Sequence, residues 1–211
     1  MAKKGCFAAV VFSMLAMPQA SAHPHVFIDS KAAFHFDDEG RLSGLRITWV
    51  YDPFTSLKLI ALLDLDQDND GVLSESDISL IVKAQTVWPE DFNGDVYLEK
   101  FGQPVALGRP INGDADWVTD RISVSFELPL DEPLTSTYGT ELRLYDPTYY
   151  FAYSATEVEP AENCQIEVKQ FKPDQATSNL RKQLAQLSRE ETPEQDDVGR
   201  LFADVIGLQC A

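Results

Sequence analysis

The stretch Asp66 to Asp77, DQDNDGVLSESD, sets oxygen-bearing side chains at intervals that suit a hard cation. In a twelve-residue EF-hand loop, oxygen ligands come from positions 1, 3, 5, 7, 9 and 12, and a glycine at position 6 allows the sharp turn. Asp66, Asp68 and Asp70 stand at the first three of those positions, and the Val72 carbonyl, Ser74 (through a water) and Asp77 at the last three. Gly71 occupies the turn. The pattern predicts bound calcium. Position 12 departs from the usual glutamate: Asp77 is one methylene shorter, which predicts ligation through one oxygen, weaker calcium binding and stronger competition from magnesium. No second loop matches, since NGDADWVTD (112–120) is acidic but lacks the glycine in the required place. A lone loop of this kind suits a weak extracellular site, with a dissociation constant of order 10⁻⁴ to 10⁻³ M, and a structural role.

All three histidines of the chain, His23, His25 and His35, fall near its start. Imidazole suits zinc, nickel and copper. Cleavage before His23 would place its α-amine and imidazole together as a copper chelate. Pro24 blocks the alternative square-planar site, because it has no amide N–H to lose. His25, Asp29 and His35 share strand parity, but residues 25 and 35 lie about 33 Å apart along an extended strand. The compact set is therefore His23 and His25, with Asp29 or a distant acid beside them. A flexible terminus bearing surface histidines is the competing account. Motifs for an enzyme are missing: the sequence contains no G-x-S-x-G elbow, HExxH, P-loop or reactive Cys with a His partner. The reading is non-enzymatic, with a copper-dependent redox protein using His23 as the alternative.

These residues need a compartment and a scaffold. Lys3 and Lys4 precede an apolar run from Gly5 to Met17, followed by Ala20-Ser21-Ala22. That order predicts a cleaved signal peptide over residues 1–22, since the run is shorter than the roughly 20 apolar residues a membrane span requires. A periplasmic location and no membrane span after processing follow. Processing removes two lysines and no acid, so the net charge moves from −17 to −19. Such a chain repels nucleic acid and anionic membrane surfaces and attracts cations. Of the cysteines, Cys164 and Cys210 survive processing. An even count in an oxidising compartment predicts a disulfide that clamps the C-terminus.

Residues 25–36 and 41–51 are apolar, β-branched and aromatic runs around Asp37-Asp38-Glu39-Gly40, which predicts a β-hairpin. Asp52 and Pro53 suit the N-cap and first position of a helix over 54–65, with Phe54, Leu57, Ile60 and Leu63 near helical spacing. After the acidic loop, Ser74 and Asp77 form a capping box for a second helix whose face is Ile78, Ile81, Val82 and Gln85. The EF-hand-like segment thus covers 53–86. From 94 to 171 the chain reads as antiparallel strands: a hairpin about Phe101-Gly102, then DRISVSFELPL, TELRLYDPTYYFAYS and CQIEVKQFK. Tyr145, Tyr149, Tyr150, Phe151 and Tyr153 suit core and sheet-face packing, with a ligand groove as the alternative. Two C-terminal helices follow, one lined by Leu180, Leu184 and Leu187. The other opens at Thr192-Pro193-Glu194-Gln195, buries Val198, Leu201, Phe202 and Val205, and ends at Gly207. The fold class is α+β: one domain over 23–211, largely antiparallel sheet with an inserted EF-hand-like helix-loop-helix and two C-terminal helices.

AHPHVFID, GLRITWVYDPFTSL, YDPTYYFAY and GRLFADVIGLQC together resemble the bacterial domain-of-unknown-function family number 1007, over essentially the whole mature chain. The resemblance implies an envelope protein, labelled in that family as a periplasmic component of an uncharacterised ABC-type transport system. It further implies association with an inner-membrane permease for divalent metals such as nickel, cobalt or zinc. It implies no known activity. The combined expectation is a periplasmic calcium-binding accessory in divalent metal binding or transport. The alternatives are the copper redox protein and a calcium-stabilised interaction module with no transition-metal role.

Overall fold

A computed structural model describes residues 23–188 and 191–210; the expected signal peptide, residues 1–22, lies outside the described residues. The predicted hairpin forms as β1 (Val26–Phe36) and β2 (Leu42–Tyr51). Alternation drives it: Leu45, Ile47, Trp49 and Tyr51 point into the core while the residues between them are part-exposed.

Asp52 then caps α1 (Pro53–Leu63), accepting from the backbone N–H groups of Phe54 and Thr55 at 3.0 Å. Its other oxygen accepts the Phe27 N–H at 3.1 Å, so the cap ties α1 to β1. The helix does not bury the expected stripe. Phe54 and Leu57 are exposed, and the inward face is Thr55, Ser56, Ile60 and Leu63, because the buried Ser56 hydroxyl accepts the Ile122 N–H at 2.9 Å. Beyond the acidic loop, α2 (Glu75–Thr86) opens with the Ser74/Asp77 capping box. Ile81 is fully buried, and Tyr51 donates to Gln85 Oε1 at 2.6 Å, so the predicted α2 face does meet the sheet.

The remaining strands are β3 (Val96–Lys100), β4 (Gln103–Pro104), β5 (Ile111–Val118), β6 (Arg121–Leu134), β7 (Thr140–Leu144), β8 (Phe151–Val158), β9 (Cys164–Lys169) and β10 (Val205–Cys210). They form two five-stranded sheets, ordered β5-β6-β2-β1-β8 and β4-β3-β7-β10-β9. Pairing is antiparallel except between β1 and β8, which run parallel. Inward side chains of both sheets, among them Ile47, Phe126, Leu142 and Ile206, join one hydrophobic cluster. The TELRLYDPTYYFAYS run is divided between the sheets: β7 belongs to one and β8 to the other, with Tyr145–Tyr150 crossing between them.

Only the first of the two C-terminal helices forms as expected, as α3 (Gln175–Leu184), with Leu187 beyond its end. The second is replaced by a 3-10 turn (Val198–Phe202) and then β10. Val205 and Gly207 are strand residues, because β7 and β9 offer backbone partners on both sides and a helix there would leave those groups unpaired. Cys164 and Cys210 face each other across β9 and β10 and form the predicted disulfide. Among the described residues, no helix is long and apolar enough to cross a membrane.

Candidate metal centres

The acidic loop joins α1 to α2 and is shaped by left-handed backbone at Asp64, Asp66, Asn69 and Gly71. Gly71 takes φ +75°, which glycine adopts at no steric cost. Asp66 Oδ1 accepts the N–H groups of Asp70 and Gly71 at 3.0 and 3.2 Å, and Asp70 Oδ1 that of Val72 at 2.8 Å. Asp66, Asp68 and Asp70 each offer a carboxylate oxygen, and these oxygens all lie within 4.8 Å of one another. Three carboxylates that close repel unless a cation joins them.

The last two predicted ligands, Ser74 and Asp77, also cap the second helix. Asp77 Oδ2 accepts the Ser74 N–H and hydroxyl, at 2.9 and 2.7 Å, in the α2 cap. The bonds from Ser74, helped by the Asp66 backbone N–H, hold the Asp77 carboxyl below its usual range. The carboxylate therefore lies within influence of the first residue of the loop as well as of its own helix. Val72 is exposed.

His23 and His25 converge at the start of β1. The rings of His23 and His25 are 5.1 Å apart, and that of Tyr150 lies 4.5 Å from His25. His25 N–H donates to the Tyr150 carbonyl at 2.8 Å, so the HPH segment is stitched to the YDPTYY crossover. Asp146 builds that crossover: its carboxylate accepts from Thr148 N, Tyr150 N and Phe151 N at 2.8–3.0 Å, and from the Thr148 hydroxyl. Gly199 lies so close beneath that a Cβ there would meet the Asp146 carbonyl oxygen at 1.8 Å. His23 is 2 % exposed, and its Nδ1 has no hydrogen-bond partner among the described residues. Burial lowers the His23 pKa, against the opposing pull of Asp146, so the ring favours its neutral, metal-ligating form. Asp29, further along β1, is paired with Arg121 at 2.6 Å. His35 sits at the far end of β1, opposite Gly44.

Sequence reasoning missed Asp95. It follows Gly94 at a left-handed φ of 56°, is 5 % exposed, and accepts the Tyr153 hydroxyl at 2.9 Å. Burial, reinforced by the charge of Asp146 and opposed by the Tyr153 bond, pushes its pKa up to about 7. The only sequence signal is the turn-forming run Asn93-Gly94-Asp95 ahead of a strand.

Fold and site together define a two-sheet α+β protein with a carboxylate-rich loop between two helices and a histidine pair at one sheet end. The chain belongs to the family described as protein of unknown function DUF1007, which matches residues 8–210. Comparison with curated proteins gives no match.

Proposed function

We propose that this protein is an exported, periplasmic calcium-binding protein, non-enzymatic, that serves divalent metal binding or transport at the inner membrane. Calcium occupies the EF-hand-like segment, held by Asp66, Asp68 and Asp70 with Asp77 at the closing position, and magnesium competes for it. The observation that carries the reading is the three-carboxylate cluster between two capped helices. The ion would fix α1 and α2, both packed on β6, against the sheet. The disulfide suits an oxidising compartment, in line with export.

A second, softer site is favoured by the buried Nδ1 of His23 and the 5.1 Å ring pair with His25. It would take zinc, nickel or copper and hand the ion to a permease. Redox turnover with copper would instead make it the centre of an oxidoreductase.

The test is elemental analysis of the mature, untagged protein from the periplasm, beside Asp66→Ala and His23→Ala/His25→Ala variants. One calcium lost with Asp66, and a transition metal lost with the histidines, supports both sites. No calcium in the parent protein, even at millimolar supply, overturns the loop reading. Calcium without any transition metal, even when one is offered, removes the histidine site.

A further inference from the structure

A cleft of about 510 Å³ opens between β2, the C-terminal end of α2 and the start of β8. Trp49, Trp88, Phe92, Tyr150 and Tyr153 supply aromatic walls, and Asp95 and Asp146 supply two carboxyl groups that are 5 % and 8 % exposed. None of the described lining residues is Lys, Arg or His. Buried carboxylates are costly without a compensating cation, and aromatic faces attract cations through their quadrupole. Both features select the same class of guest.

The walls are held in place. The Trp88 ring lies flat on Gly94, where a Cβ would fall 2.2 Å from it, and Trp88 Nε1–H donates to the Gln85 carbonyl at 2.6 Å. Arg109 donates to the carbonyls of Trp88, Pro89 and Phe92, which clamps the loop that carries two of the rings. Trp49 stacks on Trp88 at 6.2 Å, is 3 % exposed, and has a buried Nε1–H with no hydrogen-bond partner among the described residues. An orphaned donor on a residue that lines a cleft is the kind of group a ligand oxygen satisfies.

We infer that this cleft binds a small organic ammonium ion, primary or quaternary, with Asp95 as counter-ion, the aromatic rings as cage and Trp49 Nε1–H donating to an oxygen of the guest. The volume lies within the usual range for small-molecule sites, about 300–1,000 Å³. A bare metal ion is a poorer fit, because the Asp146 oxygens are already taken up by three backbone N–H groups and a hydroxyl. Asp146 acts there as a fixed charge.

The titratable groups facing Asp95 are Tyr153 on β8, Asp146 on the crossover, Tyr51 on β2 and Tyr97 on β3. Burial pushes all three tyrosines upward, so they stay protonated near neutrality. Affinity for an ammonium guest therefore rises between pH 6 and 8, as Asp95 ionises.

The test uses the full mature chain stripped of metal with EDTA, so that failure of the calcium reading leaves the result untouched. Choline and ethanolamine are titrated by calorimetry and tryptophan fluorescence, beside their neutral counterparts 3,3-dimethylbutan-1-ol and propan-1-ol. The expected result is saturable binding of at least one cation, about ten-fold tighter than its counterpart, a difference of about 1.4 kcal/mol. Asp95→Asn, nearly isosteric, lowers that affinity by a similar factor while near-UV circular dichroism stays unchanged, and Trp88→Leu does the same through the cage. Binding of neither cation, equal binding of cation and counterpart, or full affinity in a folded Asp95→Asn variant overturns the inference.

Discussion

Asp77 Oδ2 bonds to both the backbone N–H and the hydroxyl of Ser74, so the residue that would close the cation loop is also the residue that caps α2. One carboxylate oxygen is committed to the helix, which leaves the other for an ion. Lengthening the side chain frees the geometry, since glutamate at this position both completes a capping box and chelates calcium with two oxygens. Asp77→Glu is expected to tighten calcium binding at least several-fold while leaving magnesium nearly unchanged. Asp77→Ala is expected to lower the melting temperature by roughly 2–4 °C in EDTA, through loss of the cap, and to shrink the further rise that calcium gives. Calcium titrations and thermal melts with and without EDTA check this. An Ala variant with the parent's full calcium-induced rise would remove Asp77 from the site.

Local signals in the sequence carried local structure and stopped there. The β1/β2 hairpin, the Asp52 cap, the Ser74/Asp77 box and the Cys164/Cys210 pair each depend on neighbours in sequence or on a simple count. Strand β5 escaped because INGDADWV is almost wholly exposed and acidic, and becomes a strand only through pairing with β6. The segment 198–207 has apolar residues at helical spacing, yet β7 and β9, more than thirty residues away, set its end as a strand. The histidine pair was visible, but its partner, the Asp146 crossover, was not. Asp95 was invisible for a related reason: its burial and its meeting with Tyr153, 58 residues on, exist only once both sheets have closed on one core.

The disulfide joins directly opposed residues on β9, an edge strand, and β10, at a sequence separation of 46. Closing a loop of that size restricts the unfolded chain, a stabilisation of about 2–4 kcal/mol. A Cys164→Ser/Cys210→Ser protein is expected to unfold at a clearly lower urea midpoint, with the earliest hydrogen exchange in β9. Matching midpoints and matching exchange for the two proteins would show that the β9/β10 pairing holds without the covalent link.

Glu99 on β3 receives Arg200 of the 3-10 turn at 2.7 Å through two nitrogens and Arg143 of β7 at 2.9 Å. The Arg200 bonds are the main reason its pKa lies below the ordinary 4.5. A depressed acid contributes stability that is present above its unfolded value and is lost as pH falls through the folded one. Glu99→Gln is therefore expected to be about 1–2 kcal/mol less stable than the parent at pH 7. The difference should close below pH 4. Urea midpoints at both pH values decide it, and a gap that persists undiminished at pH 3 would assign the loss to packing.

Asp95 predicts the opposite slope. Its pKa is raised from 3.8 to about 7 by burial first, then by Asp146, so the folded protein holds a proton that the unfolded chain has already released. Stability from this group is complete below about pH 4 and is lost as pH rises through 7. The shift of about 3 units sets an upper bound of about 4 kcal/mol, at 1.36 kcal/mol per unit. Asn cannot ionise and still accepts the Tyr153 hydroxyl. Asp95→Asn should accordingly match the parent protein near pH 4 and exceed its stability progressively up to pH 8, measured by urea unfolding in the absence of any ammonium ligand. A variant no more stable than the parent at pH 8 would mean that the Asp95 carboxylate is balanced in the folded protein by a cation, or reached by solvent, rather than isolated against Asp146.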